Sequence, residues 1–324
     1  MITTYRLSFI SPLNIDGQSV GSYLKTASFI HSDTLSAAIL SAWADLEPEG
    51  KEKRFQNPPF LLSSAFPYFG SLYFLPRPLH SQAIQLKETD LEEAKKIKKI
   101  KWFEKSLWST VVTHPSEWHY KIDYELVSGT LAVSKQDYDD SMRFPFWKIE
   151  DPVRVSMNRI NGHVAPGQLF NLCRIDYHQH AGLYFLVKFA HSEVQRAFEA
   201  ALAWLGDTGM GADRHCGNGL FEYQRANVQF PHVENNAIAL SVVCPNEEEC
   251  QNNDWLTGSA YELLRRGGWI AGTGKRKQAV HMFGEGSCFS RSIKGRIVEM
   301  GQHPTLGYQI YRDGRGFFVG GADG

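Results

Sequence analysis

Gly209-Met-Gly-Ala-Asp-Arg-His-Cys-Gly-Asn-Gly219 constrains this chain more than any other stretch. Two Gly-x-Gly pairs bracket a short polar segment carrying Arg214 and His215. The segment follows an amphipathic helical pattern and precedes an expected strand over residues 220–224. Glycine reaches positive φ without steric penalty and leaves the main chain bare. Gly209, Gly211, Gly217 and Gly219 therefore permit either a tight helix-to-strand turn or a cradle of N–H groups for an anion such as phosphate. Arg214 and His215 would complement a phosphate or a nucleobase. The commoner nucleotide fingerprints do not fit. A P-loop needs Gly-Lys-Ser/Thr at the start of a helix, and a dinucleotide loop runs from strand into helix rather than from helix into strand.

The chain has 324 residues, enough for two domains or one large one. Lys and Arg number 34 against 35 Asp and Glu, a formal net charge of −1. That balance argues against sequence-blind attraction to nucleic acid, so any RNA contact has to be local, pre-organised or shared with partner subunits. The N-terminus lacks a basic segment followed by an apolar core, and no run approaches the ~18 apolar residues that span a membrane. The five cysteines are scattered, with no Cys-x-x-Cys pair. The expectation is a cytoplasmic protein with reduced thiols.

Tyr5, Leu7 and Phe9 alternate as in a half-buried strand. Ser32-Asp33-Thr34 supplies N-capping groups ahead of Leu35, Ile39, Ala42 and Trp43 at helical spacing. Between about residues 76 and 124 lies a mixed-charge segment in which Lys95, Lys96, Lys98, Lys99 and Lys101 cluster. It reads as a solvated face or, alternatively, a nucleic-acid arm. Val153, Val155 and Met157 alternate with polar neighbours ahead of Asn161-Gly162, a hairpin signal. The result would be a projecting hairpin with Arg154 and Arg159 near its tip. Residues 177–189 read as a strand pair around Ala181-Gly182. Ser192 then caps a helix with Val194, Phe198, Ala201, Leu202 and Leu205 on one face. A second unit starts at Ala237, with a helix over about residues 254–266, a basic patch at Lys275-Arg276-Lys277, and short strands, the last two joined through Asp313-Gly314. β-α-β elements thus occur twice, each followed by more strands than helices, which favours two α+β domains with helices on one sheet face.

These pieces, in this order, resemble the RAMP proteins of type III CRISPR effector complexes. They are most like the fourth-subunit family of the type III-A (Csm) complexes, which holds the 5′ handle of CRISPR RNA. The carrying residues are Ser11-Pro-Leu13, His31-Ser-Asp-Thr-Leu35, the segment from Arg154 to Phe170, and the Gly-rich loop. In the second unit Gly267-Gly-Trp269, Gly284-Glu-Gly-Ser287, His303-Pro304 and Gly314-Arg-Gly-Phe-Phe318 continue the match. The loop departs from the family pattern at Ala212-Asp213, where a further glycine and a basic residue are common, and at Cys216, where a small hydroxyl residue is usual.

The resemblance implies two ferredoxin-like (RRM-like) domains, residues 1–225 and 237–324. Insertions at about 76–125 and 150–175 would enlarge the first, the latter a β-hairpin thumb. It implies a non-catalytic antiviral-defence subunit without cofactor or metal. Its partners would be the CRISPR RNA handle, the large signalling subunit, the backbone RAMP subunits, and target RNA near the thumb. RNA contacts would fall on Ser32, Asp33, Thr34, Arg154, Asn158, Arg159, Gly209, Gly211, Arg214, His215, Gly217, Gly219, Arg276 and Lys277. The alternative is a stand-alone RAMP endoribonuclease processing precursor CRISPR RNA, with His215 as general acid or base. His178-Gln-His180 could point two imidazoles to one strand face, though no matching ligand cluster accompanies the pair.

Overall fold

A computed structural model of the chain describes residues 2–15, 26–80, 91–113, 124–157, 164–230, 236–270 and 273–320. The first half runs β1 (Ile2–Phe9), α1 (Ser32–Leu46), α2 (Lys51–Gln56), β2 (Phe60–Leu62), β3 (Phe66–Phe69), β4 (Leu72–Pro76), α3 (Leu91–Lys99), β5 (Trp102–Glu104) and α4 (Lys105–Thr113). It continues with β6 (Tyr124–Val127), β7 (Leu131–Ser134), β8 (Trp147–Glu150), β9 (Val153–Met157), β10 (Val164–Asn171), β11 (Arg174–Tyr177), β12 (Ala181–Phe189), α5 (Ser192–Thr208) and β13 (Phe221–Ala226). After it come β14 (Ala237–Ala239), α6 (Glu247–Gln251), β15 (Leu263–Arg266), β16 (Val280–Phe283), β17 (Cys288–Phe289), β18 (Gly295–Gln302), β19 (Gln309–Arg315) and β20 (Phe318–Val319).

The sheet order β13-β1-β12-β3, all antiparallel, is the ferredoxin-like arrangement. Its cause is readable in β1. Tyr5 and Leu7 are fully buried against α1 and α5, where Leu35, Ile39, Phe198, Ala201 and Leu202 complete an apolar layer. On the opposite face the Arg6 guanidinium lies 4.0 Å over the Tyr68 ring. The sheet then continues through β4, β5, β7 and β6, so the long insertion extends the sheet. The lysine-rich segment is in part the amphipathic α3, with Ile97 buried and Lys95, Lys96, Lys98 and Lys99 exposed.

Some expectations fail for identifiable reasons. Residues 178–180, not Ala181-Gly182, make the turn before β12, and β11 pairs with β8 rather than with β12. Gly182 is placed inside β12 because a Cβ there would lie 2.2 Å from the Leu7 carbonyl oxygen. Residues 254–266 are no helix: a short 3-10 turn at Asp254–Leu256 leads to β15, which pairs with β16. Leu263 to Arg266 pair with Phe283 to Val280 across the ladder, where Leu264 joins Val242 and Met282 in an apolar cluster. Asp313-Gly314 lies within β19, since Gly314 must pass close to Cys244 and Met282. The second unit has the order β17-β14-β20, with β14 central, and carries only the five-residue α6 among the described residues.

Candidate nucleic-acid interface

The Gly-rich loop is folded onto the connection that follows β1. The amide of Met210 donates to Gly219 O (3.0 Å), that of Gly219 to Pro12 O (2.8 Å), and that of Ala212 to Asn14 O (2.9 Å). The Leu220 amide donates to Ser11 Oγ at 2.8 Å. The glycines are demanded by this packing: a Cβ on Gly211 would sit 2.2 Å from Asn14 O, and one on Gly219 1.9 Å from Met210 O, both at positive φ. Much of the expected phosphate cradle is therefore engaged within the protein. What the loop presents outward is its apex, a 3-10 turn at Arg214–Cys216 with Arg214 and His215 exposed.

Asp213, which breaks the family pattern, is answered by Arg154. The Arg154 guanidinium pairs with the Asp213 carboxylate, which also accepts from Asn218 Nδ2 at 3.2 Å. This corrects the expected position of Arg154. It faces Phe170 across β9 and β10, one pair from the end of the ladder at Val153 and Asn171, and its charge is committed to the loop. The pairing of β9 with β10 supports the hairpin itself, whereas Asn158, Arg159 and the Asn161-Gly162 turn lie outside the described residues. With Asp213 neutralised, Arg214 has no ion-pair partner among the described residues.

Ser32, Asp33 and Thr34 are placed differently. The N-cap of α1 is His31, and no side chain caps the helix, nor does Ser192 cap α5, whose N-cap is His191. Asp33 is instead completely buried between the two units. It accepts from Arg266 Nη2 (2.8 Å) and Nε (3.0 Å) and from Arg312. Burial alone would raise its pKa, but the two guanidinium groups outweigh that and hold the carboxyl well below the usual range. Ser32 Oγ accepts from the Val242 amide (3.0 Å), and Thr34 Oγ1 accepts from Arg266 (3.0 Å). Ser32 and Asp33 thus join the units and are closed to RNA, and Thr34 is only half-exposed.

The seam continues through groups that local patterns did not single out. His31 Nδ1 lies 2.8 Å from buried Glu285, which also accepts from Ser64 Oγ. Burial would raise the Glu285 pKa, but His31 and the hydrogen bonds from His31 and Ser64 hold it down. An ionised carboxylate can only accept, so His31 Nδ1 carries the proton of that bond. Arg315 donates to Pro58 O (3.0 Å) and Phe60 O (2.6 Å). These partners are separated by more than 200 residues, and no spacing rule connects them.

The basic patch divides. Arg276 is exposed and stacks on Trp269, 4.9 Å from the ring centroid. Lys277 turns toward the buried cluster, where burial and then Arg312 push its ammonium pKa down while Asp33 opposes them. His178 and His180 lie 5.5 Å apart beside Phe69. Among the described residues no group of three or more His, Cys, Asp or Glu could hold a metal ion, and no helix is long and apolar enough to cross a membrane.

Residues 232–321 match the family model for the CRISPR Csm4 C-terminal domain. The chain is 23% identical to the CRISPR system protein Csm4 of Methanocaldococcus jannaschii, over 86% of this chain and 84% of that one. It is 26% identical to the Csm4 of Thermococcus onnurineus, over 80% and 79%. Its fold is similar to a chain of the Csm3-Csm4 subcomplex of a type III-A CRISPR-Cas interference complex, with TM-score 0.69, 18% identity and 98% of both chains covered. It is also similar to a chain of a Csm1-Csm4 cassette bound to pppApA, with TM-score 0.58, 17% identity and 99% and 98% covered. A ferredoxin-like frame and a Gly-rich loop locked onto the first connection accompany these likenesses: residues 232–321 match the Csm4 C-terminal domain, and over most of its length the chain is similar to Csm4 proteins of CRISPR systems.

Proposed function

We propose that this chain is the non-catalytic subunit of a type III-A CRISPR interference complex that holds the 5′ repeat-derived handle of the CRISPR RNA. It docks to the large signalling subunit and to the first backbone RAMP subunit, as the Csm1-Csm4 and Csm3-Csm4 assemblies of its structural relatives suggest. The observation that carries the reading is the apex of the Gly-rich loop. Arg154 cancels the one acidic side chain there, which leaves Arg214 exposed beside His215 as a local cation on a chain of near-zero net charge. A short basic apex on a rigid loop suits a strand whose other contacts come from neighbouring subunits.

Small RNA recovered with the tagged protein from its host should share one 5′ tag and vary beyond it. Arg214→Glu should reduce RNA retained by the assembled complex by about tenfold, since a phosphate contact is replaced by like-charge repulsion. Recovered RNA without a common tag, or full occupancy in the variant, would refute the assignment.

A further inference from the structure

The second unit leaves the outer edge of β15 open. Across the ladder Leu263 faces Phe283, Leu264 faces Met282, Arg265 faces His281 and Arg266 faces Val280. Phe283 directs both of its main-chain groups to the other side, its amide to Val243 O (2.8 Å) and its carbonyl to the Val243 amide (2.9 Å). Bonded and unbonded pairs alternate along an antiparallel ladder. Leu264 and Arg266 therefore hold β16, and the N–H and C=O groups of Leu263 and Arg265 point away from it. Just ahead of β15 the phase is the same: Glu262 O accepts from the Gly284 amide at 2.9 Å, and the main chain of Tyr261 has no partner among the described residues. Tyr261, Leu263 and Arg265 each offer an N–H and a C=O along one edge.

Alternate side chains of an extended segment share a face, and on this face Tyr261 is 48% exposed, Leu263 is 53% exposed and Arg265 is exposed beside them. The Tyr261 ring stands perpendicular to that of Phe283, with 4.9 Å between centroids. Edge strands are ordinarily blunted by charge, proline or a covering segment. β13, at the end of the large sheet, is blunted by exposed Glu222, Gln224 and Arg225. β15 instead sets two large apolar groups beside its free main-chain groups, and Arg265 has no ion-pair partner among the described residues. On the opposite face Glu262 and Leu264 line a cleft of about 1100 Å³ whose wall also carries Arg77, Lys98 and Lys101. Its other carboxylate, Glu285, is matched by His31 and Ser64. Cations are thus in excess on both sides of the edge.

We infer that the β15 edge takes an extended segment of another protein chain as an added strand, with apolar side chains against Tyr261 and Leu263 and an acidic one against Arg265. Main-chain groups in strand phase are answered by a second backbone, and the side chains beside them select which one. Cross-strand pairs favour opposite charges. A second copy of this chain would bring further cations to a cationic edge, so a foreign acidic segment is preferred. The inference rests on the reading of the chain as a subunit of an assembly, gives that docking a place and a chemistry, and needs no RNA contact.

The test is amide hydrogen exchange at single-residue resolution on the full chain, alone and in the assembly recovered from its host through a tag on this chain. In the free chain Tyr261, Leu263 and Arg265 should exchange readily while Leu264 and Arg266 are protected by β16. In the assembly the first three should slow by about tenfold or more. A photoreactive p-benzoylphenylalanine in place of Leu263 should crosslink to a segment of another chain in which apolar and acidic residues alternate. Leu263→Pro removes one outward N–H and no ladder bond, which an edge strand tolerates, and Arg265→Glu alters only an exposed side chain. Each should lower the share of this chain that carries the crosslinked partner by about tenfold. If Leu263→Pro fails to fold, Arg265→Glu and the exchange pattern decide. Unchanged exchange at the three amides in an intact assembly would overturn the edge and leave the subunit reading standing. Recovery of the chain with no protein partner removes both. Protection that appears in the free chain as it is concentrated, with a dimer in sedimentation, would overturn the foreign segment in favour of a second copy. Protection that depends on added RNA would overturn a protein occupant.

Discussion

Replacing Asp33 by Asn should unlock the two units. The carboxylate has 0% side-chain exposure and faces two guanidinium groups, each 9% exposed. The amide keeps the shape but removes the charge, so Arg266 and Arg312 remain buried without their shared carboxylate, beside neutral acceptors such as Thr34 Oγ1 and the Gly267 carbonyl. Breaking a buried pair on one side costs about 3–5 kcal/mol, because an uncompensated charge stays behind. Unfolding entropy of about 2.1 cal/mol/K per residue gives a 324-residue chain close to 0.7 kcal/mol/K. The melting temperature should therefore fall by roughly 4–7 °C in calorimetry. The control is Asp254→Asn, which breaks an exposed pair with Arg291 and should shift it by about 1 °C or less. Limited proteolysis should cut the Asp33→Asn chain near residues 226–237 sooner than the parent. A melting temperature within 1–2 °C of the parent would refute the claim that this cluster holds the units together.

Two further outcomes follow from the same structure. Gly219→Ala should destabilise by about 1–3 kcal/mol, because the new Cβ meets Met210 O at positive φ, while Gly217→Ala, in open space at a similar φ, should cost less; equal losses in urea unfolding would contradict the packing argument. Asp33 and Glu285 both have pKa values below their ordinary 3.8 and 4.5, so their contribution is complete above about pH 5 and is lost as pH falls toward their folded values. The melting temperature should be flat from neutral pH to about 5 and then drop, with a shallower drop in Asp33→Asn; equal slopes would count against the assignment.

Much of the first unit could be read from the chain because its signals are local. Tyr5 and Leu7 in alternation, and Phe198, Ala201, Leu202 and Leu205 at helical spacing, are the buried faces of β1 and α5. The second unit was less legible. Residues 254–266 carry a helix-compatible pattern, but Leu263 to Arg266 are drawn into a ladder with β16 and Leu264 into the cluster with Met282, so tertiary packing decides against the helix. Ser32 and Asp33 illustrate another limit. Ser-Asp-Thr ahead of an apolar run reads as a cap, yet Arg266 and Arg312, more than 230 residues away, take Asp33 into the seam. Glu285 lies in the Gly284-Glu-Gly-Ser287 motif, but nothing in that string announces that it will face His31.

The short motifs of this chain thus divide by what they hold. Gly209, Gly211 and Gly219 fasten the loop to the connection after β1; Ser32, Asp33, Glu285 and Gly286 fasten one unit to the other, Gly286 passing so close to Arg77 O that a Cβ would lie 2.3 Å away. Both fastenings act on the connection between β1 and α1, where Asn14 meets the loop and His31 meets the seam. The loop and the seam therefore stand at opposite ends of one connection whose two ends are fixed. On the proposed RNA-holding reading, a net charge near zero makes rigidity of this kind substitute for bulk attraction, because an exposed cation such as Arg214 acts on a strand only if it is held where a phosphate lies. On that reading, loosening the seam with Asp33→Asn should weaken RNA binding, whereas the loss of one negative charge would by itself raise the net positive charge and strengthen it.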